Sequence, residues 1–106
     1  MINDKDIKTA KALMDVISSF TEILSFKVFG SRARGDWDRD SDMDIFIVVP
    51  RLTPELDKKI SDAAWEVGME NDVVIATIVC TPEDLNKPGF RGSPFLNVLE
   101  KEGIAV

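Results

Sequence analysis

The sequence predicts an α/β (α+β) domain, a small mixed β-sheet flanked by helices in the order α-β-β-α-β-α. Three observations carry this expectation. Ile45–Val49 is a continuous apolar run of the kind found in a strand covered on both faces, and Val73–Val79, β-branched and apolar but for Ala76 and Thr77, has the character of a second buried strand. Between them, Leu56, Ile60, Ala63, Ala64 and Val67 recur at the spacing of one helical face. The 106 residues fit one domain, 1–106, and no repeat, low-complexity tract or linker divides it.

The elements follow in order. From Asp4 to Leu24, the residues Ile7, Ala10, Leu13, Met14, Ile17, Phe20 and Leu24 recur at three- and four-residue steps, which predicts an amphipathic helix. Asp4 and Asp6 stand in its first turn, where the helix dipole favours negative charge. Ser25–Phe29 alternates and stops at Gly30, a short strand. A polar stretch leads to the strand Ile45–Val49, which Pro50 ends. Thr53-Pro54 opens the second helix, with proline at its first position, and Gly68 is expected to close it. Val73–Val79 is the third strand, and Thr81-Pro82-Glu83-Asp84 has the form of a capping box before a short helix. After a loop over 86–92, Ser93-Pro94 caps a last helix through Glu102, ended by Gly103. The tail Ile104–Val106 has three open fates: a sheet edge, a partner surface or fraying. Strands one and two are too close in sequence for a helical crossover and are expected to be antiparallel. Strands two and three, joined through a helix, are expected to be parallel.

Composition removes several kinds of chemistry. The chain has no histidine, which excludes a Ser-His-Asp triad and most zinc sites. Its formal charge of −6 opposes a long phosphate backbone, so nucleic acid is not the expected partner. Cys80 is the one cysteine, which precludes an intrachain disulfide and fits a reducing compartment. No segment has the length of an apolar membrane span, and Met1–Asp6 has no apolar signal-peptide core; the expected location is cytoplasmic.

The informative segment is Gly30-Ser31-Arg32-Ala33-Arg34-Gly35, followed by Asp36, Asp38, Asp40, Asp42 and Asp44 at alternate positions. An EF-hand is excluded, because its sixth position requires Gly and its twelfth Glu. Counted from Asp36 these positions hold Ser41 and Ile47; counted from Asp38, Met43 and Val49. The pattern that fits is Gly-Ser, ten residues, then Asp-x-Asp. Asp42 and Asp44, two apart at the entrance of a strand, point to one face about 6.7 Å apart along the chain and are placed to hold divalent cations. A third acid is expected from the parallel third strand, whose beginning reaches the same end of the sheet. Asp72 would face Asp44 there, with Glu70 as a rival. Gly30 permits close approach to a phosphate, Ser31 offers a hydroxyl and an N–H, and Arg32 and Arg34 match phosphate oxygens. The whole reads as a nucleoside triphosphate held by two Mg2+ ions.

Gly30–Gly35 with Ser41-Asp42-Met43-Asp44 resembles the polymerase-β-type nucleotidyltransferase superfamily, and the short chain resembles its minimal nucleotidyltransferase branch. The resemblance covers most of the chain, from the first helix to the last. It implies the nucleotidyltransferase fold, Mg2+ on Asp42 and Asp44, and a third carboxylate, by position Asp72, that completes the site or activates the acceptor. The nucleotide would meet Gly30, Ser31, Arg32, Arg34 and Ser41. The resemblance also implies a HEPN-domain ribonuclease toxin as partner, with the chain as its antitoxin in a hetero-oligomer, in some members by transfer of AMP from ATP, the substrate, to a tyrosine of the toxin. Two alternatives are neutralisation by binding alone and AMP transfer to a small hydroxylic molecule. The latter usually requires an additional acceptor-binding domain.

Blander readings apply to other residues. Asp36, Asp38 and Asp40 read as a solvated loop, and Ser41 also suits a turn hydrogen bond. Arg39 suits a phosphate or a neighbouring Asp equally, and Trp37 suits a base, a partner or plain packing. Trp65 reads as core or partial core, Lys58-Lys59 as a solvated helix face, and Cys80 as inert packing. Phe90-Arg91-Gly92 lies in a loop where ligand or partner contact is conceivable.

Overall fold

The computed structural model describes residues 3–30 and 42–91, with 99, 101 and 103–106. Helix α1 spans Asp4–Ser18, strand β1 Ser25–Phe29, β2 Met43–Val48, helix α2 Pro54–Asn71 and β3 Ile75–Cys80. Two single-turn helices follow, α3 Pro82–Leu85 and α4 Pro88–Arg91, and then β4, Ile104–Ala105. The sheet order is β3-β2-β1-β4, with β1 antiparallel to both β2 and β4, and β2 parallel to β3. The expected mixed sheet and both predicted strand orientations are therefore present. The tail takes the sheet-edge option, with Ile104 opposite Val28.

Local signals set the helix starts. Asn3 caps α1 by accepting the Asp6 N–H at 2.8 Å. Thr53 does the same for α2 through the Leu56 N–H, with Pro54 beside it. Thr81 and Asp84 close the predicted capping box reciprocally, side chain to backbone in both directions.

The helix ends differ from the sequence expectations. Helix α1 stops at Ser18, six residues before Leu24. Phe20 and Ile23 still pack against the core, but from the connection, and the Leu24 N–H already bonds to the Val48 carbonyl at 2.8 Å. The apolar spacing thus recorded burial across a helix and the turn after it. Helix α2 runs past Gly68 to Asn71. A Cβ on Gly68 would stand 2.5 Å from the Val73 carbonyl oxygen, while the Val73 N–H bonds to the Gly68 carbonyl at 3.0 Å. The glycine admits the returning chain against the helix and does not end it. Helix α4 occupies part of the expected loop 86–92, and most of the expected helix from Ser93 to Glu102 lies outside the described residues.

Two apolar layers hold the sheet. On one face, Ala10, Leu13 and Ile17 of α1 and Ile60, Ala63, Ala64 and Val67 of α2 close over Phe26, Val28, Met43, Ile45 and Ile47. On the other, Phe29, Phe46, Val48, Cys80 and Leu99 cluster, with Leu85 and Phe90 against them. Phe46 and Phe90 stack at 6.4 Å between centroids, so Phe90 has a packing role. Cys80 is buried as expected, and burial, then the charge of Asp84, pushes its thiol pKa up. Trp65 departs from its expected place: it is 67% exposed, and so is Met69 one turn later at 66%. The core face of α2 is filled by the smaller Ala63, Ala64 and Val67, which leaves Trp65 to project away from it. Among the described residues, no helix is long and apolar enough to cross a membrane.

Candidate active site

The antiparallel pairing of β1 and β2 joins the two halves of the sequence motif. Phe29, the last residue of β1, stands opposite Asp44. The chain therefore leaves β1 at Gly30 directly beside the carboxylate it meets again on β2. Gly30 has φ +75°, and a Cβ built on it would lie 2.5 Å from Asp44 Oδ2. Both the backbone angle and the contact call for glycine.

Asp42 lies exposed immediately before β2, and Asp44 is half-buried as its second residue. Asp44 faces away from the helices, because Met43 and Ile45 on either side of it fill the helix-side core. Burial, and secondly the negative charge of Asp42, raises the Asp44 carboxyl above its ordinary value of 3.8. Two hard oxygen donors in mutual repulsion, one of them partly desolvated, suit a divalent cation such as Mg2+.

The third acid does not arrive as expected. Asp72 does not open β3; it caps α2 at φ 57°, ψ 45°, is exposed, and precedes the strand by three residues. It lies toward the same end of the sheet, but the residue opposite Asp44 on β3 is Ala76. Glu70 is still within α2 and exposed. Among the described residues, no three His, Cys, Asp or Glu side chains gather as a metal site. Ser31, Arg32, Arg34 and Ser41 fall outside the described residues, as do Asp36, Trp37, Asp38, Arg39 and Asp40.

Asp72 is the one non-glycine residue with positive φ among those described. That conformation usually favours glycine at a helix end. Asp72→Gly is expected to raise stability by up to about 1 kcal/mol, read as a higher melting temperature. Divalent-cation affinity is expected to stay unchanged in the same protein. An open groove of about 610 Å³ lies at the far end of β1, lined by residues including Met14, Ser18, Phe26 and Val106, and contains none of these site residues.

The model of the family described as "Nucleotidyltransferase domain" matches residues 11–101. The chain belongs to this family. A curated relative from Methanocaldococcus jannaschii, named "Putative protein adenylyltransferase", is 38% identical over 53 residues, 49% of this chain and 54% of that protein. The chain thus spans about half the length of that relative. Among solved structures, a chain of a toxin–antitoxin complex with AMP-PNP superimposes with a TM-score of 0.59 at 18% identity, over 96% of this chain and 69% of that one. A chain of the complex between a tri-AMPylated Shewanella oneidensis HEPN toxin and its MNT antitoxin gives 0.55 at 12% identity, over 95% and 70%. At these identities the structural likeness establishes the nucleotidyltransferase fold.

Proposed function

We propose that this chain transfers AMP from ATP, in the presence of Mg2+, to a tyrosine hydroxyl of a HEPN-domain toxin, and so acts as its antitoxin in the cytoplasm. The observation that carries this reading is the convergence of Gly30 on the Asp44 carboxylate, with Asp42 alongside, at one end of the sheet. Gly30 leaves the backbone close enough for a triphosphate to lie against it. Asp42 and Asp44 would hold Mg2+, which when bound neutralises triphosphate charge and acidifies a nearby hydroxyl. Ser31, Arg32, Arg34 and Ser41 are assigned to the phosphates on the sequence pattern. In the reaction, the acceptor oxygen bonds to the α-phosphorus as the bond to pyrophosphate breaks; the acceptor loses its proton and pyrophosphate leaves with the bonding electrons. The named adenylyltransferase relative and the AMPylated toxin complex are consistent with this choice of donor and acceptor.

A second reading, neutralisation of the toxin by binding alone, is favoured by one feature, the alanine opposite Asp44. Incubation with labelled ATP, Mg2+ and a HEPN-type partner separates the two. Label on the partner, reduced at least about 10³-fold by Asp42→Asn/Asp44→Asn, is the expected result. A stable unlabelled complex would favour the binding reading.

A further inference from the structure

We propose that the open edge of β3 pairs antiparallel with β3 of a second copy of this chain, about a two-fold axis at Thr77. The inference concerns assembly and is independent of the reading of Asp42 and Asp44.

The backbone of β3 carries it. This strand stands at one end of the sheet order β3-β2-β1-β4. The carbonyls of Val74 and Cys80 accept from the Met43 and Val49 N–H groups on the β2 side, at 2.8 and 2.9 Å. Backbone groups alternate sides along a strand, so Ile75, Thr77 and Val79 direct theirs to the open edge. Ile75–Cys80 holds no charge and no proline, the usual guards of an edge that stays single.

Register makes this edge self-complementary. A two-fold axis normal to the sheet through Thr77 sets Thr77 opposite its own copy and Ile75 opposite Val79. In an antiparallel ladder the hydrogen-bonded pairs fall on alternate residues, and here they take up Ile75, Thr77 and Val79 with none left over. Centring the axis between two residues would set helix-side residues against open-side ones. Moving it by one residue brings Val73 or Thr81 into a hydrogen-bonded position. Their N–H groups are already held, by the Gly68 carbonyl and by Asp84 Oδ2.

Apolar side chains border the edge on both faces. Val74 and Ile78 are exposed on the open face, since Val73, Ile75 and Val79 around them pack into the helix-side core. On the helix side, Gly68 of α2 lies against Val73. At about 100° per residue, Trp65 and Met69 come about 60° and 100° beyond Gly68, in the sense opposite to Ala64 and Val67. These four make up most of the large apolar side chains exposed among the described residues. Trp65 by itself covers about 150–250 Å² when buried. With the other three and the strand edge, two copies would bury on the order of 1,000 Å², the lower bound of a specific interface.

The test is sedimentation equilibrium of the full chain across a concentration series. The parent is expected to be a dimer, and Trp65→Ser and Thr77→Lys are each expected to weaken it at least about tenfold. Val16→Ser, at an exposed position on α1, is expected to match the parent. In Thr77→Cys, opposed Cα atoms about 5.5 Å apart fall within disulfide range. Mild oxidation is then expected to join position 77 to its copy, as mapped by peptide mass spectrometry. A monomeric parent, whether or not a partner protein then covers β3, would overturn the proposal. So would a dimer unaffected by Trp65→Ser, or folded Thr77→Cys that forms no such disulfide. The parent mass and Trp65→Ser decide the matter even where the Thr77 variants fail to fold.

Discussion

Asp44→Asn is expected to raise the melting temperature of the protein in chelator and to remove its stabilisation by Mg2+. Asp44 is partly buried beside Asp42, and both effects raise its carboxyl above the ordinary value of 3.8. Two carboxylates about 6.7 Å apart repel by roughly 0.6–2.5 kcal/mol for effective dielectrics between 80 and 20. Asp42 is exposed, so solvent screening favours the lower part of that range. A relief of about 1 kcal/mol corresponds to about 4 °C in a domain of this size. The sign with pH follows from the raised folded-state value. Stability from this carboxyl is fully present below pH 3.8, where both folded and unfolded chains carry the proton, and is lost as the pH rises through the folded-state value. The advantage of Asp44→Asn in chelator is therefore expected to be negligible near pH 3 and complete at neutral pH. With Mg2+ and AMP-PNP the order reverses, because the parent gains a ligand that the variant cannot hold. Paired thermal melts across pH, in chelator and in Mg2+ with nucleotide, check both halves. A lower melting temperature for the variant in chelator at neutral pH would contradict the conflict between the two acids.

Elements with a local chemical signal were legible in the sequence. Strand β1 coincides with Ser25–Phe29, and the caps at Thr53 and Thr81 stand where their sequences placed them. Such features are fixed by neighbouring residues alone. Features set by contacts across the chain were not legible. Gly68 has the look of a helix stop, yet its role is set by the Val73 carbonyl that lies against it. Phe20 continues an apolar spacing, but the pairing of Leu24 with Val48 ends the helix before it. The candidate site divides in the same way. Gly30, Asp42 and Asp44 are readable from one motif, because they lie close in sequence and at the ends of two strands that pair antiparallel. The facing residue on β3 depends on how far α2 extends and where the parallel strands fall into register. Topology alone favours the acid at the start of the apolar run, but α2 continues to Asn71, and the register brings Ala76 opposite Asp44.

Gly30→Ala is expected to damage both stability and the site, and the damage is expected to depend on Asp44. Two terms add. A side chain at φ +75° costs about 1–2 kcal/mol, whatever surrounds it. The added methyl would also stand 2.5 Å from Asp44 Oδ2, so the carboxylate must move. A displacement of about 1 Å at a reacting centre is enough to lose about 10²-fold in rate. AMP transfer by Gly30→Ala is accordingly expected to fall by about 10²-fold or more, with weaker Mn2+ binding in the same protein. Asp44→Ala removes the oxygen that the methyl would strike. In the Asp44→Ala background, Gly30→Ala should then cost the backbone term alone, and a double-mutant cycle of thermal melts should give a coupling above about 0.5 kcal/mol. A cycle that closes additively would mean that Gly30 serves the turn and not the carboxylate, and would remove the contact that joins Gly-Ser to Asp-x-Asp.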